Sequence, residues 1–324
     1  ISVDNVDISN VAADSTNVVW NDEDAVADYG EITVTGGTLG QEGNFPVVLK
    51  DANGNVKGFY KTLPEAVTAA QSGDVVTITT DGTYTLNGFS NKALTIEAAE
   101  GVNATIDLKN QKPAFHGSQL VLNGLNLEYA NVDYHGLQHI DIVEYNDCVI
   151  TGQPFLYGNS ETFNNCTFNQ TSSGHYNVWT YGAKKVEFND CTFNCAGKSV
   201  LVYNEGGPAT NLTVEGCEFI ATQEVADKAA IEIDTTAPNN HGAMDGTVIT
   251  INNSTANGFA AGSVSGNSLW NDKRDQTNLI VYVDDEIVWP ASKADMTYSA
   301  YGFTAGGEGE KYRERFGIEL HDVY

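Results

Sequence analysis

The chain has 324 residues with 41% hydrophobic content, enough to bury a sizeable core in one large domain or two ordinary ones. It carries 43 Asp+Glu against 16 Lys+Arg, a formal net charge of -27. That field repels nucleic acid and anionic membrane and holds divalent cations only loosely, and no run of about 20 apolar residues exists to span a bilayer.

In chain order, residues 1–58 read as a few strands that pack on the repeat region beyond residue 59, with a hairpin at Asp51-Ala52-Asn53-Gly54-Asn55. That Asp/Asn run shares its start with a calcium loop but lacks the sixth-position Gly, so it reads as a turn. No basic-then-apolar segment opens the sequence, so a signal peptide has either been removed or lies before residue 1. Residues 62–72 read as a helix. Thr62 and Glu65 form a capping box, Gly73 stops it, and Leu63, Ala66, Val67 and Ala70 share one face. A strand comes next over Val75–Thr80.

Six copies of one pattern occupy the middle of the chain: Leu122-Asn123-Gly124-Leu125-Asn126-Leu127, Tyr145-Asn146-Asp147-Cys148-Val149-Ile150, Phe163-Asn164-Asn165-Cys166-Thr167-Phe168, Phe188-Asn189-Asp190-Cys191-Thr192-Phe193, Val214-Glu215-Gly216-Cys217-Glu218-Phe219 and Ile251-Asn252-Asn253-Ser254-Thr255-Ala256. The intervals are 23, 18, 25, 26 and 37 residues, so coils of fixed section carry loops of varying size, the last around Pro238–Asp245. Each copy is strand, tight polar turn, strand. Pairs such as Val143/Tyr145 and Val186/Phe188 alternate with outward Glu144 and Glu187, the strand period of two. Stacked coils then give internal ladders at position four (Leu125, Cys148, Cys166, Cys191, Cys217, Ser254) and position six (Leu127, Ile150, Phe168, Phe193, Phe219, Ala256). Each large buried side chain contributes roughly 1.5–3 kcal/mol. Position two is an Asn ladder, expected to adopt the left-handed conformation of the bend and to hydrogen-bond from coil to coil. The expected fold is all-β, a parallel β-helix whose first coil is closed by the short N-terminal helix.

The five cysteines suit buried free thiols better than a disulfide framework, since the count is odd and stacked side chains point the same way. Cys195 lies outside the ladder and reads as an accessible thiol. Sequons at Asn103, Asn165, Asn169 and Asn211 read as Asn/Thr-rich composition.

A third strand per coil aligns as Pro113-Ala114-Phe115-His116-Gly117, Val132-Asp133-Tyr134-His135-Gly136, Pro154-Phe155-Leu156-Tyr157-Gly158, Val178-Trp179-Thr180-Tyr181-Gly182, Val200-Leu201-Val202-Tyr203-Asn204 and Ile231-Glu232-Ile233-Asp234-Thr235. With Ile231/Ile233 and Val200/Val202 inside, the other parity faces solvent: Ala114/His116, Asp133/His135, Phe155/Tyr157, Trp179/Tyr181, Leu201/Tyr203 and Glu232/Asp234. An exposed aromatic column marks an interaction surface unless the chain's own ends or loops cover it. An exposed Trp179 would be replaceable by Ala with little loss of stability. Residues 266–324 read as a C-terminal cap or extension with a strand at Leu279–Val283 and mixed charge over Glu308–Glu314.

The run from Tyr60-Lys61-Thr62-Leu63-Pro64-Glu65-Ala66-Val67 through Gly73-Asp74-Val75-Val76-Thr77-Ile78, with the Asn-Asp-Cys-Thr-Phe coils, resembles the pectin-lyase-like β-helix superfamily, in particular surface and adhesin-type proteins of Gram-positive bacteria. The resemblance covers about residues 59–265 and implies a right-handed helix in an extracellular bacterial protein. It leaves activity open, because fold does not fix function.

Three functions are compatible with these residues. The first is a non-catalytic adhesin that binds a polysaccharide, a glycoconjugate or a surface protein through His116, His135, Phe155, Tyr157, Trp179, Tyr181 and Tyr203. The second is a polysaccharide-degrading glycosidase or lyase with Glu232, Asp234 or Asp133 as acids; Glu232 and Asp234 sit two apart on one strand, about 6.5–7 Å, within the range of an inverting pair. Against lyase action, the arginines are Arg274, Arg313 and Arg315, beyond the ladder, and no lysine lies on the proposed face. The third is a passive spacer. No cofactor is expected. The acidic surface can attract divalent cations such as Ca2+ loosely, without specifying a site, and His135-x-x-x-His139 lacks the helix that its spacing needs.

Overall fold

Parallel pairing at constant register organises the computed structural model, which describes residues 2–4, 33–35, 45–204, 210–235, 246–273 and 279–289. The described chain is nearly all β with one helix, and its strands fall into three long sheets. The first sheet has twelve strands, the second eight and the third five. The chain visits them in turn. Ser160–Asn164 lies in the first, Thr167–Gln170 in the second, Tyr176–Tyr181 in the third, and Lys185–Asn189 returns to the first one strand further on. The second and third sheets are parallel throughout. Only the ends of the first turn antiparallel, through Val47–Lys50 with Val56–Tyr60 at one end and Glu286–Trp289 at the other. Ser2–Asp4 and Thr33–Thr35 pair with each other. The segments around Pro238–Asp245 and Glu308–Glu314, and all three arginines, lie outside the described residues.

The alternation seen in the sequence becomes register. Tyr145, Phe163, Phe188, Val214 and Ile251 are direct neighbours in the first sheet and are all buried. Leu127, Ile150, Phe168, Phe193 and Phe219 are neighbours in the second. Rings therefore meet face to face: Phe168 and Phe193 are 4.5 Å apart at 6°, Phe193 and Phe219 4.6 Å at 15°. Both ladders loosen at their last rung, where Ser254 and Ala256 are half-buried.

Cys148, Cys166, Cys191 and Cys217 form the expected column of free, buried thiols. Each thiol lies 3.3–3.4 Å from a carbonyl of the preceding strand of the first sheet, at Leu122, Tyr145, Phe163 and Phe188 in turn, and can donate its S–H there. Cys195, expected to be accessible, is buried as well. The asparagine ladder forms coil to coil: Asn146 Nδ2 donates to Asn123 Oδ1 (3.0 Å), Asn164 to Asn146 (2.7 Å) and Asn189 to Asn164 (2.9 Å). The left-handed residue, however, is the next one, not the ladder Asn. Asp147, Asn165, Asp190 and Asn253 have φ of 51 to 54°, and Gly124 and Gly216 hold the same place at 62 and 64°. The bend is tightest there, so short Asx side chains or glycine fill it.

The helix runs over Leu63–Ala69, shorter than the 62–72 expected. Its N-terminus is the capping box: Glu65 N donates to Thr62 Oγ1 (3.3 Å) and Thr62 N to Glu65 Oε2 (3.0 Å). Ala70 leaves the helix at ψ 145°, because Gln71 N turns to Asp74 Oδ2 (2.7 Å) and Asp74 pairs with Lys57 (2.6 Å). Leu63, Ala66 and Val67 are buried against Val47–Lys50, Val56–Tyr60 and Val75–Ile78, so the helix covers that end of the first sheet.

One interior position breaks the apolar pattern. Glu161 stands in register between Val143 and Val186 and is buried. Gly158 N donates to its Oε1 at 2.7 Å, and the Tyr145 hydroxyl reaches Oε2 at 3.5 Å. Burial outweighs these hydrogen bonds and pushes the carboxyl up to about 7. Below about pH 4.5 it is protonated in both folded and unfolded chains and costs nothing. As pH rises towards 7, the unfolded chain gives up this proton while the folded chain keeps it, so stability falls by about 3 kcal/mol. The stability difference between Glu161→Gln and the wild type should therefore move by about 3 kcal/mol in favour of the variant between pH 4 and pH 8, read by urea denaturation. A difference independent of pH would contradict a buried carboxyl at this position.

Candidate functional site

The third sheet carries the outward pattern, and its register fixes which side chains meet. Leu156, Val178, Val200, Val202, Ile231 and Ile233 point to the core. On the opposite parity Phe155, Trp179, Leu201, Glu232 and Asn271 form one column. Tyr181, Tyr203 and Asp234 form the second, with Tyr157 two residues beyond Phe155 at its start.

Outward does not mean exposed. Phe155, expected to face solvent, is 1% exposed, and Leu201 is buried beside it. Other rings cover Phe155: Trp179 stacks on it at 4.7 Å and 25°, and Tyr134, Tyr181 and Tyr157 lie at 5.4, 6.0 and 6.3 Å. The half-buried surface above is Tyr157, Trp179, Tyr181 and Tyr203, and Tyr134 caps it at 49% exposure. Tyr134 meets Tyr181 edge-on at 5.3 Å and holds φ 65°, a strained conformation for a bulky side chain. Stacking turns ring faces along the column: Tyr181 and Tyr203 are 6.0 Å apart at 15°. The flank therefore shows solvent mainly ring edges and phenol groups. The Trp179 indole Nε1 is buried without a hydrogen-bond partner.

The first two rungs depart from the expected alignment. Ala114 bridges Gln138, not Asp133, and Phe155 N donates to His135 O at 2.8 Å, which sets Gly136 beside Phe155. A Cβ on Gly136 would lie 1.9 Å from the Phe155 carbonyl, so only glycine fits at this crossing. Residues 131–135 consequently form a loop before the ladder instead of a rung in it. His135 is half-buried there, its Nδ1 unpartnered, and burial followed by the nearby Lys112 charge lowers its pKa. Asp133 is exposed, with Gln153 Nε2 3.4 Å from its carboxylate. His116 is exposed and stacks on His139 at 4.4 Å and 14°. Neither His135 nor Asp133 joins the aromatic columns, and His116 lies before their start.

At the far end the columns enter an ion network. Glu232 and Asp234, expected to face solvent, are both buried. Lys273 Nζ sits 2.8 Å from Asp234 Oδ2 and 4.0 Å from Glu232 Oε2, so a lysine does lie on this face. Ala229 N donates to Glu232 Oε1 (3.0 Å) and Thr235 N to Asp234 Oδ1 (2.8 Å). Burial holds the Glu232 carboxyl above its ordinary range, against the Ala229 amide and the Lys273 charge. Buried charges persist only when paired, and Lys273 supplies the pairing. The Lys273 ammonium thus lies within 4.0 Å of both carboxylates. Nearby, Lys198 Nζ lies 5.2 Å from the Tyr176 ring centre and donates to Gly174 O at 2.8 Å. Among the described residues no group of three His, Cys, Asp or Glu side chains is arranged to hold a metal ion.

The residues missed in the sequence are Tyr134, Tyr176 and Lys273. Tyr134 is hidden by a loop that mimics a rung, and Lys273 follows a strand, Trp270–Asp272, that carries no repeat signature. No family model, no curated protein and no solved structure matches the chain.

Because Trp179 is wedged between Phe155 and Tyr203, Trp179→Ala should destabilise the fold by about 2–4 kcal/mol in chemical denaturation, contrary to the small effect expected of an exposed ring. An unchanged unfolding midpoint would show the ring to be dispensable to packing.

Proposed function

We propose that the three sheets form a right-handed parallel β-helix of pectin-lyase-like type, displayed outside a bacterial cell, which binds a glycan polymer along the aromatic flank without cleaving it. The observation that carries this reading is the contiguous half-exposed cluster of Tyr134, Tyr157, Trp179, Tyr181 and Tyr203, where most other rings among the described residues are packed inside. Exposed aromatic surface of this extent favours contact with a ligand. Tyrosine suits a sugar, since its ring edge meets the C–H faces and its phenol exchanges hydrogen bonds with the hydroxyls. A polymer lying along the stack would meet equivalent groups about every 4.8 Å.

The enzyme reading rests on Glu232 and Asp234, and their pairing with Lys273 speaks against it. A passive spacer would need no tyrosine cluster at its surface.

Tyr134 is the residue on which to test binding, because it is exposed and its removal opens no core cavity. On a polysaccharide array, with and without calcium, the wild type should bind at least one polymer. Tyr134→Ala should bind it at least tenfold more weakly, with an unfolding midpoint lowered less than that of Trp179→Ala because Trp179 still covers Phe155. Silence of the wild type across a broad array would remove the glycan reading, and product release would restore the enzyme.

A further inference from the structure

We propose that Lys273 and Asp234 become joined by an intramolecular amide bond between their side chains, with Glu232 as the group that relays the proton. This modification is independent of what the flank binds.

The geometry comes from the register. Ile233 pairs with Asp272, and Lys273 N donates to Ile233 O at 3.0 Å, so Lys273 stands one coil beyond Asp234 on the same outward column. Its Nζ lies 2.8 Å from Asp234 Oδ2. A small rotation about the carboxyl brings it to the near-attack separation of about 3–3.5 Å from Cγ. Thr235 N holds the other oxygen, Oδ1, at 2.8 Å and is placed to stabilise negative charge that develops there. Glu232 Oε2 is 4.0 Å from the same Nζ, and its Oε1 is anchored by Ala229 N. The carboxyl side chains of Glu232 and Asp234 are 3% and 12% exposed, so little water competes. Burial raises the Glu232 carboxyl above its ordinary value, which favours its acting as a proton relay.

The step balances without any co-reactant. The ammonium of Lys273 passes one proton to the Asp234 carboxylate, leaving a neutral amine beside a neutral acid. The amine nitrogen attacks Cγ and forms the C–N bond. Glu232 takes a proton from that nitrogen and delivers one to a hydroxyl on Cγ. The C–O bond breaks, one water leaves, and Glu232 returns to its starting form. An ion pair that is costly to bury is replaced by a neutral amide. The two residues are 39 positions apart, so the bond ties the last described rung of the third sheet to the one before it.

Intact-mass measurement of the denatured, purified chain tests this directly. The wild type should be lighter than its sequence mass by one water, and proteolysis should yield one branched peptide joining Asp234 to Lys273. Lys273→Arg should have full sequence mass and no branched peptide, and Glu232→Gln should cross-link far more slowly. Tandem mass spectrometry of the wild type alone decides the matter should either variant fail to fold. A wild type at full mass with two linear peptides overturns the proposal, as does a water loss that persists in folded Lys273→Arg. Cross-linking of Glu232→Gln at the wild-type rate overturns the relay.

Discussion

Backbone hydrogen bonding between successive parallel strands of each sheet, held in register, is the constraint on which the rest depends. Each strand satisfies its N–H and C=O groups by lying beside its parallel neighbour in the sheet, so side chains in register must stand about 4.8 Å apart. The thiol column at Cys148, Cys166, Cys191 and Cys217, the amide chain through Asn123, Asn146, Asn164 and Asn189, and the parallel rings of Phe168, Phe193 and Phe219 all result from that spacing. It also explains why Glu161 matters. A carboxyl placed between Val143 and Val186 cannot turn away without breaking the pairing, so its burial appears as a pH-dependent stability term.

The same constraint decides what the outer face of the third sheet can offer. Rings stacked along the axis cover one another's faces, which buries Phe155 and leaves Trp179, Tyr181 and Tyr203 half-exposed. Where the aromatic run ends, Glu232 and Asp234 continue the columns. Acidic residues stacked there need a cation, and Lys273 arrives from the next coil. Lys273 turns a candidate acid pair into an ion-paired group and brings its own Nζ to 2.8 Å from Asp234, the arrangement from which we propose the condensation.

Much of the fold was legible because the Asn-Asp-Cys-Thr-Phe pattern repeats with few exceptions, so the inner ladders and their Asn bends align directly from the sequence. The third strand was legible from Phe155 to Asp234, where alternation is strong. It failed before that. The run Val132–Gly136 alternates like a rung, but Gly136 is the residue that packs on Phe155, and the preceding residues fold into the Tyr134 loop. Period two cannot tell a strand from a loop of similar composition. Nor can it report depth. Phe155 and Glu232 have the outward parity and are nonetheless buried, because the groups that cover them, Tyr134 and Lys273, come from loop and coil positions that the pattern does not mark.

The central claim is that the outward tyrosine cluster is where a ligand lies. Tyrosine-directed nitration with peptide mass mapping tests it most directly, on the folded wild type with and without a polysaccharide selected on the array. The account predicts that Tyr134 reacts readily in the free chain and is protected in the complex, together with Tyr181 or Tyr203. Tyr134 that is inert in the free chain, or equally reactive in both samples, would contradict it.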